Sequence, residues 1–255
     1  MLHLLLESTI KDIEFEQIMK YLMQVKGIHK NNVQRLRLFI EAICYASRSG
    51  CQWRLLPTYY GNWRSIHKRF MQWSKRGLWK KLFEYAKIDP DTEYSMIDST
   101  IIRAHPCAAG YGKNSQQDEA LGRSKGGFTT KIHAAVDALE NPLKFILTPG
   151  QCSDISQAET LSKNLSDIAL IADKAYDCDA FVTFLSNNNC TPVIPCRINR
   201  LNPRDYDEYI YKERHAIECF FNKIKHFRRI FSRFEKTAQS FLSIIYFIGA
   251  LIWFR

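Results

Sequence analysis

The chain has 255 residues, 46% of them hydrophobic and 24% charged, with a mean hydropathy of −0.28. This balance excludes a disordered, collagen-like or fibrous chain, and its length accommodates either one large domain or a small and a medium one. A formal net charge of +10 and a pI near 9.2 ask for a polyanionic partner, nucleic acid or anionic membrane. The eight cysteines form no C-x-x-C pair and no recurring spacing, which fits reduced thiols in a cytosol better than a disulfide framework or a zinc ribbon. The apolar run at residues 1–6 is far shorter than a secretory h-region and meets Glu7, Lys11 and Asp12 at once, so no export is expected. The longest apolar stretch, 244–254, falls short of the ~20 residues of a membrane span and reads as a buried C-terminal helix.

Residues 11 to about 86 read as helical. Ile13, Phe15, Ile18, Met19, Leu22 and Met23 recur near helical spacing, and Leu36, Leu38, Phe39, Ala42, Ile43 and Ala46 form a second stripe that Ser49-Gly50 ends. Turns follow at Leu56-Pro57 and Tyr60-Gly61-Asn62, and 63–81 resumes a helical pattern through Trp63, Ile66, Phe70, Trp73 and Leu78. At Asp89-Pro90-Asp91 the periodicity changes, so the domain boundary is placed there: a helical domain at 1–88 and a second domain at 92–255. Beyond it, strands are expected at 94–103, 128–138 and 142–148, an antiparallel meander. A helix from about Ser153, a strand at 168–172, a helix near 178–187 and a strand at 192–195 follow, and this alternation implies an α/β sheet.

Three acids are conspicuous. Asp98 lies within Ile97-Asp98-Ser99-Thr100, a strand otherwise apolar or hydroxylic, where an unpaired carboxylate would cost several kcal/mol and therefore needs a cation, a backbone donor or a metal. Asp173 ends the apolar strand at 168–172, the carboxyl edge where α/β sheets hold ligands, although it can equally cap the next turn. Glu218 falls on a helix expected from about 207 to 228. On that helix Tyr211, Arg214, Glu218 and Lys225 share one narrow stripe at about 100° per residue, beside an apolar stripe of Ile210, Ile217, Phe221 and Ile224. An Arg214–Glu218 surface pair worth only ~0.3–0.5 kcal/mol is the plainer account.

Ile97-Asp98-Ser99-Thr100, Ala172-Asp173-Lys174-Ala175-Tyr176-Asp177 and Tyr211-x2-Arg214-x3-Glu218-x6-Lys225 closely resemble the DDE transposases of bacterial insertion sequences, of the insertion-sequence-five type with its Y-R-E-K signature. The resemblance extends through Arg103-Ala104-His105, the segment 121–127, Thr148-Pro149-Gly150-Gln151 and Phe220 to Arg229. It also covers Gly50 to Pro57 and the Trp63-x2-Ile66-x2-Arg69-Phe70-x2-Trp73 pattern, which look like that family's helical DNA-binding segment. The resemblance implies an RNase H-like fold, a mixed sheet flanked by helices. In it Asp98, Asp173 and Glu218 converge on two divalent ions, Mg²⁺ or alternatively Mn²⁺, and the enzyme binds the ends of an insertion sequence, cleaves them and transfers the freed strand to target DNA. Carboxylate ligands suit such hard ions, and two metals can activate the nucleophile and stabilise the leaving oxyanion together. Joining two ends implies a homodimer or larger assembly on double-stranded DNA, in a bacterial cytoplasm at the nucleoid.

Arg214 and Lys225 on the Glu218 face are candidates to hold a phosphate, with Tyr211 hydrogen-bonding or stacking beside them. Arg228, Arg229 and Arg233 continue the basic surface, and Arg64, Lys68, Arg69, Lys75, Arg76, Lys80 and Lys81 form an acid-free run suited to DNA or, more plainly, to solvent. Arg123 and Lys125 stand in a glycine-rich loop that can reach DNA. The same loop fits G-x-S-x-G around Ser124, but an esterase elbow needs a strand before the serine and a helix after it, and polar residues precede it here. A non-catalytic DNA-binding protein descended from a transposase, and a simple metal-dependent nuclease, are the alternatives to the transposase.

Overall fold

A computed structural model describes residues 10–87, 90–91, 93–109, 119–124 and 127–255; the expected DNA contact Lys125 and the start of the Asp89-Pro90-Asp91 break lie outside the described residues. In chain order the main helices are α1 (Asp12–Gln24), α2 (Val33–Ser49), α3 (Trp63–Lys75), α4 (Leu78–Ala86), α5 (Ala158–Ser162), α6 (Asp179–Asn187), α7 (His215–Lys225) and α8 (Ala238–Trp253). The strands that carry the candidate site are β1 (Tyr94–Ala104), β2 (Gly122–Ser124), β3 (Gly127–Asp137), β4 (Pro142–Pro149), β5 (Ala169–Ile171) and β6 (Thr191–Val193). The chain divides into two units, Met1–Ile88 with Ile224–Arg255, and Asp89–Lys223.

In the first unit, Asn32 caps α2 by accepting from the Arg35 N–H at 2.8 Å, and Gly50 ends it with φ +68°, a left-handed conformation that favours glycine. Gly77, at φ +67°, breaks the expected 63–81 helix into α3 and α4. Trp79 is buried among Phe39, Phe70, Trp73 and Phe247 of α8, with ring centroids 5.1–6.2 Å away. Since α8 is buried along nearly its whole length, it needs cover on every side, and α4 and α3 supply part of it. Residues 224–255 therefore pack with the N-terminal helices, whereas the periodicity break assigns them to a 92–255 domain.

The second unit is a mixed α/β sheet in the order β2-β3-β1-β5-β6, with β4 also on β3. β3 runs antiparallel to β1 from Ser95↔Asp137 to Arg103↔Thr129, and on its other edge it pairs with β4 and then β2. β1, β5 and β6 pair in parallel. Its central position makes β3 continuously buried from Thr129 to Asp137, instead of alternating. Against the β1–β5 side pack Leu161 of α5, Phe181 and Leu185 of α6, and Tyr176. The expected single helix over 207–228 is broken into a turn of helix at Glu208–Tyr211, a tighter turn at Lys212–Arg214, α7, and a further turn at Arg228–Phe231.

Candidate active site

Asp98 and Asp173 meet because β1 and β5 are parallel. Their register pairs Met96 with Ile171, so two residues further on Asp98 stands beside Asp173, just past the end of β5. Asp173 opens the turn Lys174–Tyr176 and accepts the Ala175 N–H at 2.8 Å, so its backbone position is fixed by its own side chain. Asp98 accepts from the Ser99 N–H at 2.7 Å and from Arg214 Nη1 at 3.1 Å. Burial pushes the Asp98 carboxyl up to about 6; the Ser99 N–H and Arg214 oppose the rise, while the negative charges of Asp173 and Asp154 add to it. Arg214 also pairs with the exposed Glu218, one helical turn along, so a single guanidinium links two of the three acids. Burial works against the Arg214 charge, but Asp98 and Glu218 outweigh it and raise its pKa.

Among the described residues, no three acidic, histidine or cysteine side chains form a cluster ready to hold a metal. The donor chemistry nevertheless fits a hard divalent cation: two adjoining carboxylates, one of them desolvated and raised in pKa, and a third reached through the cation Arg214.

A fourth acid escaped the sequence reading. Asp154 accepts from Ser99 Oγ at 2.6 Å and from the buried Lys131 Nζ at 2.8 Å, while Lys131 also donates to the Cys152 carbonyl at 2.6 Å. Burial would raise the Asp154 carboxyl, but Lys131 and Ser99 outweigh it and hold it below the usual range. The available signal was Lys131 itself, a cation inside the apolar strand Phe128 to Asp137 that demands a partner. His133 is fully buried and bonds Thr148 Oγ1 at 2.8 Å, a structural histidine. The Tyr176 hydroxyl is buried and has no hydrogen-bond partner among the described residues, and the charges of Asp98, Asp154 and Asp173 act on it.

The expected DNA contacts separate by exposure. Arg64, Lys68, Arg123 and Arg228 are exposed, and Tyr211 and Lys225 are half-buried, Tyr211 meeting Tyr206 edge-on at 5.6 Å. Arg69 is half-buried, its guanidinium 5.0 Å from the Phe39 ring centre. Arg229 is corrected from a DNA contact to an interior brace: it is 2% exposed, donates to the Ala46 carbonyl at 3.1 Å, pairs with Glu235 and lies 4.5 Å over the Trp53 ring. Arg233 is likewise buried, donating to the Glu235 and Lys236 carbonyls. Ser124 closes a strand that pairs antiparallel with β3, so it is not the nucleophile of a strand-to-helix elbow.

Comparison with known proteins agrees with this arrangement. Residues 10–83 match the family described as "Putative transposase of IS4/5 family", and residues 90–253 match "Transposase DDE domain". The chain is 43% identical over 129 residues to the "Putative transposase for insertion sequence element IS6501" of Brucella ovis, spanning 50% of this chain and 99% of that protein. It is 39% identical over 85 residues to the uncharacterized protein y4sN of Sinorhizobium fredii, 33% of this chain and 65% of that one. In fold it resembles the piggyBac transposase in its synaptic complex with hairpin DNA, with a TM-score of 0.52 at 12% identity, covering 96% of this chain and 70% of that one. The matched DDE domain spans the β1–β5 carboxylates and α7 alike, and the chain belongs to the DDE transposase family of bacterial insertion sequences.

Proposed function

We propose that this transposase binds the ends of its insertion sequence, cleaves them and joins the freed strand to target DNA, with Asp98, Asp173 and Glu218 as the metal-holding carboxylates. The observation that carries the residue assignment is the parallel register that sets Asp98 beside Asp173, with Arg214 tying Glu218 to Asp98. Family membership implies dependence on a divalent metal; the all-carboxylate donors favour two Mg²⁺ ions, with Mn²⁺ as a substitute. When bound, such ions make the attacking oxygen more acidic and stabilise the departing oxyanion. The chain's own residues do the positioning. The Ser99 N–H orients Asp98, the Ala175 N–H orients Asp173, and Arg214, released from the two acids, is free to hold a phosphate near them.

Double-stranded DNA is the partner this reading requires, and two ends joined in one reaction require a dimer or larger assembly. Exposed Arg64, Lys68, Arg123 and Arg228, with Tyr211, Arg214 and Lys225, are the proposed DNA contacts. No helix among the described residues is long and apolar enough to cross a membrane.

The test is substitution of each acid. Asp98→Asn, Asp173→Asn and Glu218→Gln should each abolish Mg²⁺-dependent cleavage of DNA carrying the element ends, while duplex binding persists because the basic surface is intact. Cleavage at near the parent rate by any one of the three removes that acid from the site.

A further inference from the structure

Beside Asp173 opens a cleft of about 760 Å³, the size of a small-ligand site, walled by the 173–177 turn on one side and by residues 197–200 of the 197–204 loop on the other. Three cations line it, Lys174, Arg197 and Arg200, against two carboxylates, Asp173 and Asp177. The carboxylates are spent inward: Asp173 on the Ala175 N–H, and Asp177 on the Arg197 N–H at 2.8 Å and on Arg200 and Arg204. Asp179 pairs with the same two arginines, so Arg200 and Arg204 are neutralised and pin the loop down. Arg197 and Lys174 are different. The Arg197 guanidinium donates only to neutral acceptors, the carbonyls of Lys174 at 3.2 Å and Ala175 at 2.9 Å, and among the described residues neither it nor Lys174 has a carboxylate partner. Two uncompensated charges therefore flank the mouth of the cleft, one residue from the proposed catalytic Asp173 in one case and bonded across to its turn in the other.

The same pinned loop holds two aliphatic side chains out in solvent, Ile198 at 91% and Leu201 at 96% exposure, and Ile198 also lines the cleft. A loop fixed by four arginine–carboxylate pairs has no need of apolar tips unless they meet something. Phosphate-binding cations beside an apolar tip match a nucleic acid strand, whose backbone takes the cations and whose sugar and base faces take the aliphatic chain. A protein partner would satisfy Ile198 and Leu201 but would give Lys174 and Arg197 no reason to be left unpaired.

We infer that the Lys174–Arg197–Ile198 cleft is a DNA-strand subsite. It holds a phosphate on Lys174 and Arg197 with the adjoining nucleotide against Ile198 and Asn199, and so fixes the strand next to Asp173. The inference rests on the transposase reading above, and its test can fail independently. A photo-crosslinking amino acid replaces Ile198 in the full chain, and in a control it replaces Leu139, which is 65% exposed elsewhere in the same unit. Both are irradiated without metal on a random-sequence duplex. Crosslinking from 198 should exceed the control several times over. Lys174→Gln should reduce it and flatten the slope of log affinity against log salt by about 0.9, the loss of one phosphate contact.

Equal yields from 198 and 139, crosslinking of 198 to a second protein molecule instead of DNA, or an unchanged slope in Lys174→Gln would overturn the subsite. If crosslinking succeeds but the three carboxylate variants still cut, the catalytic assignment fails and the subsite stands. If those variants are dead and 198 is silent, the reverse holds.

Discussion

A buried charge is tolerable only with its partner, and the Arg229–Glu235 pair tests that at single residues. Arg229 and Glu235, both buried, face each other inside the first unit, where burial raises the Glu235 carboxyl against the pull of Arg229. Removing one partner strands the other, so Glu235→Ala or Arg229→Ala should cost ~3–5 kcal/mol in urea unfolding, whereas Arg229→Met with Glu235→Leu should recover much of it. A phosphate contact would behave differently, losing salt-dependent DNA affinity and little stability. His133 makes the complementary prediction in pH. Its burial lowers its pKa from 6.5 to about 4, with Asp154 opposing and Lys131 adding to the fall. Because the unfolded chain takes up the proton before the folded one, this residue's contribution is complete above pH 6.5 and is lost as pH falls toward 4. The loss amounts to roughly 3 kcal/mol at one pKa unit per ~1.4 kcal/mol. His133→Gln should flatten the pH dependence of the urea midpoint over that window relative to the parent, and parallel curves would refute the assignment.

At the scale of elements, what could be read from the sequence depended on how far along the chain the deciding contact lies. The strands were legible because apolar runs and turn residues are local signals: 94–103, 128–138 and 142–148 are expected, and Tyr94–Ala104, Gly127–Asp137 and Pro142–Pro149 are found. The three acids were legible as anomalies, since Asp98 in an apolar strand demands a partner, but which partner was not, because Arg214 lies 116 residues away. The continuous 207–228 helix failed for a different reason. Its polar and apolar stripes persist across the tight turn at Lys212–Arg214, so periodicity alone does not register a change of winding within one turn. Arg229 failed because arginine in a basic run reads as surface, and it takes the distant Ala46 carbonyl and Trp53 ring, together with the nearby Glu235, to make an interior site for it.

For the whole molecule, the consequential finding is that the last helix belongs with the first ones. The sequence boundary near residue 90 suggests that 1–88 is a separable DNA-reading domain, yet its core lacks a wall without α8: Phe247 packs edge-on against Trp79 at 5.3 Å, Tyr246 meets Phe83 at 5.3 Å, and Gln239 bonds the Ser74 carbonyl. Removing that cover returns large aromatic surface to water at about 25 cal/mol per Å², against a total stability of only ~5–15 kcal/mol for a typical domain. Residues 1–88 expressed alone should therefore retain helix by circular dichroism but melt without a sharp transition and bind a hydrophobic dye. Co-expressed with 224–255, they should co-purify with that segment, melt cooperatively and lose the dye signal. Only this reconstituted unit should bind duplex DNA with the steep salt dependence that its exposed Arg64, Lys68 and Arg228 predict. A cooperative transition in 1–88 alone, at the midpoint of the two-piece unit, would show that α8 is an accessory to a domain already complete.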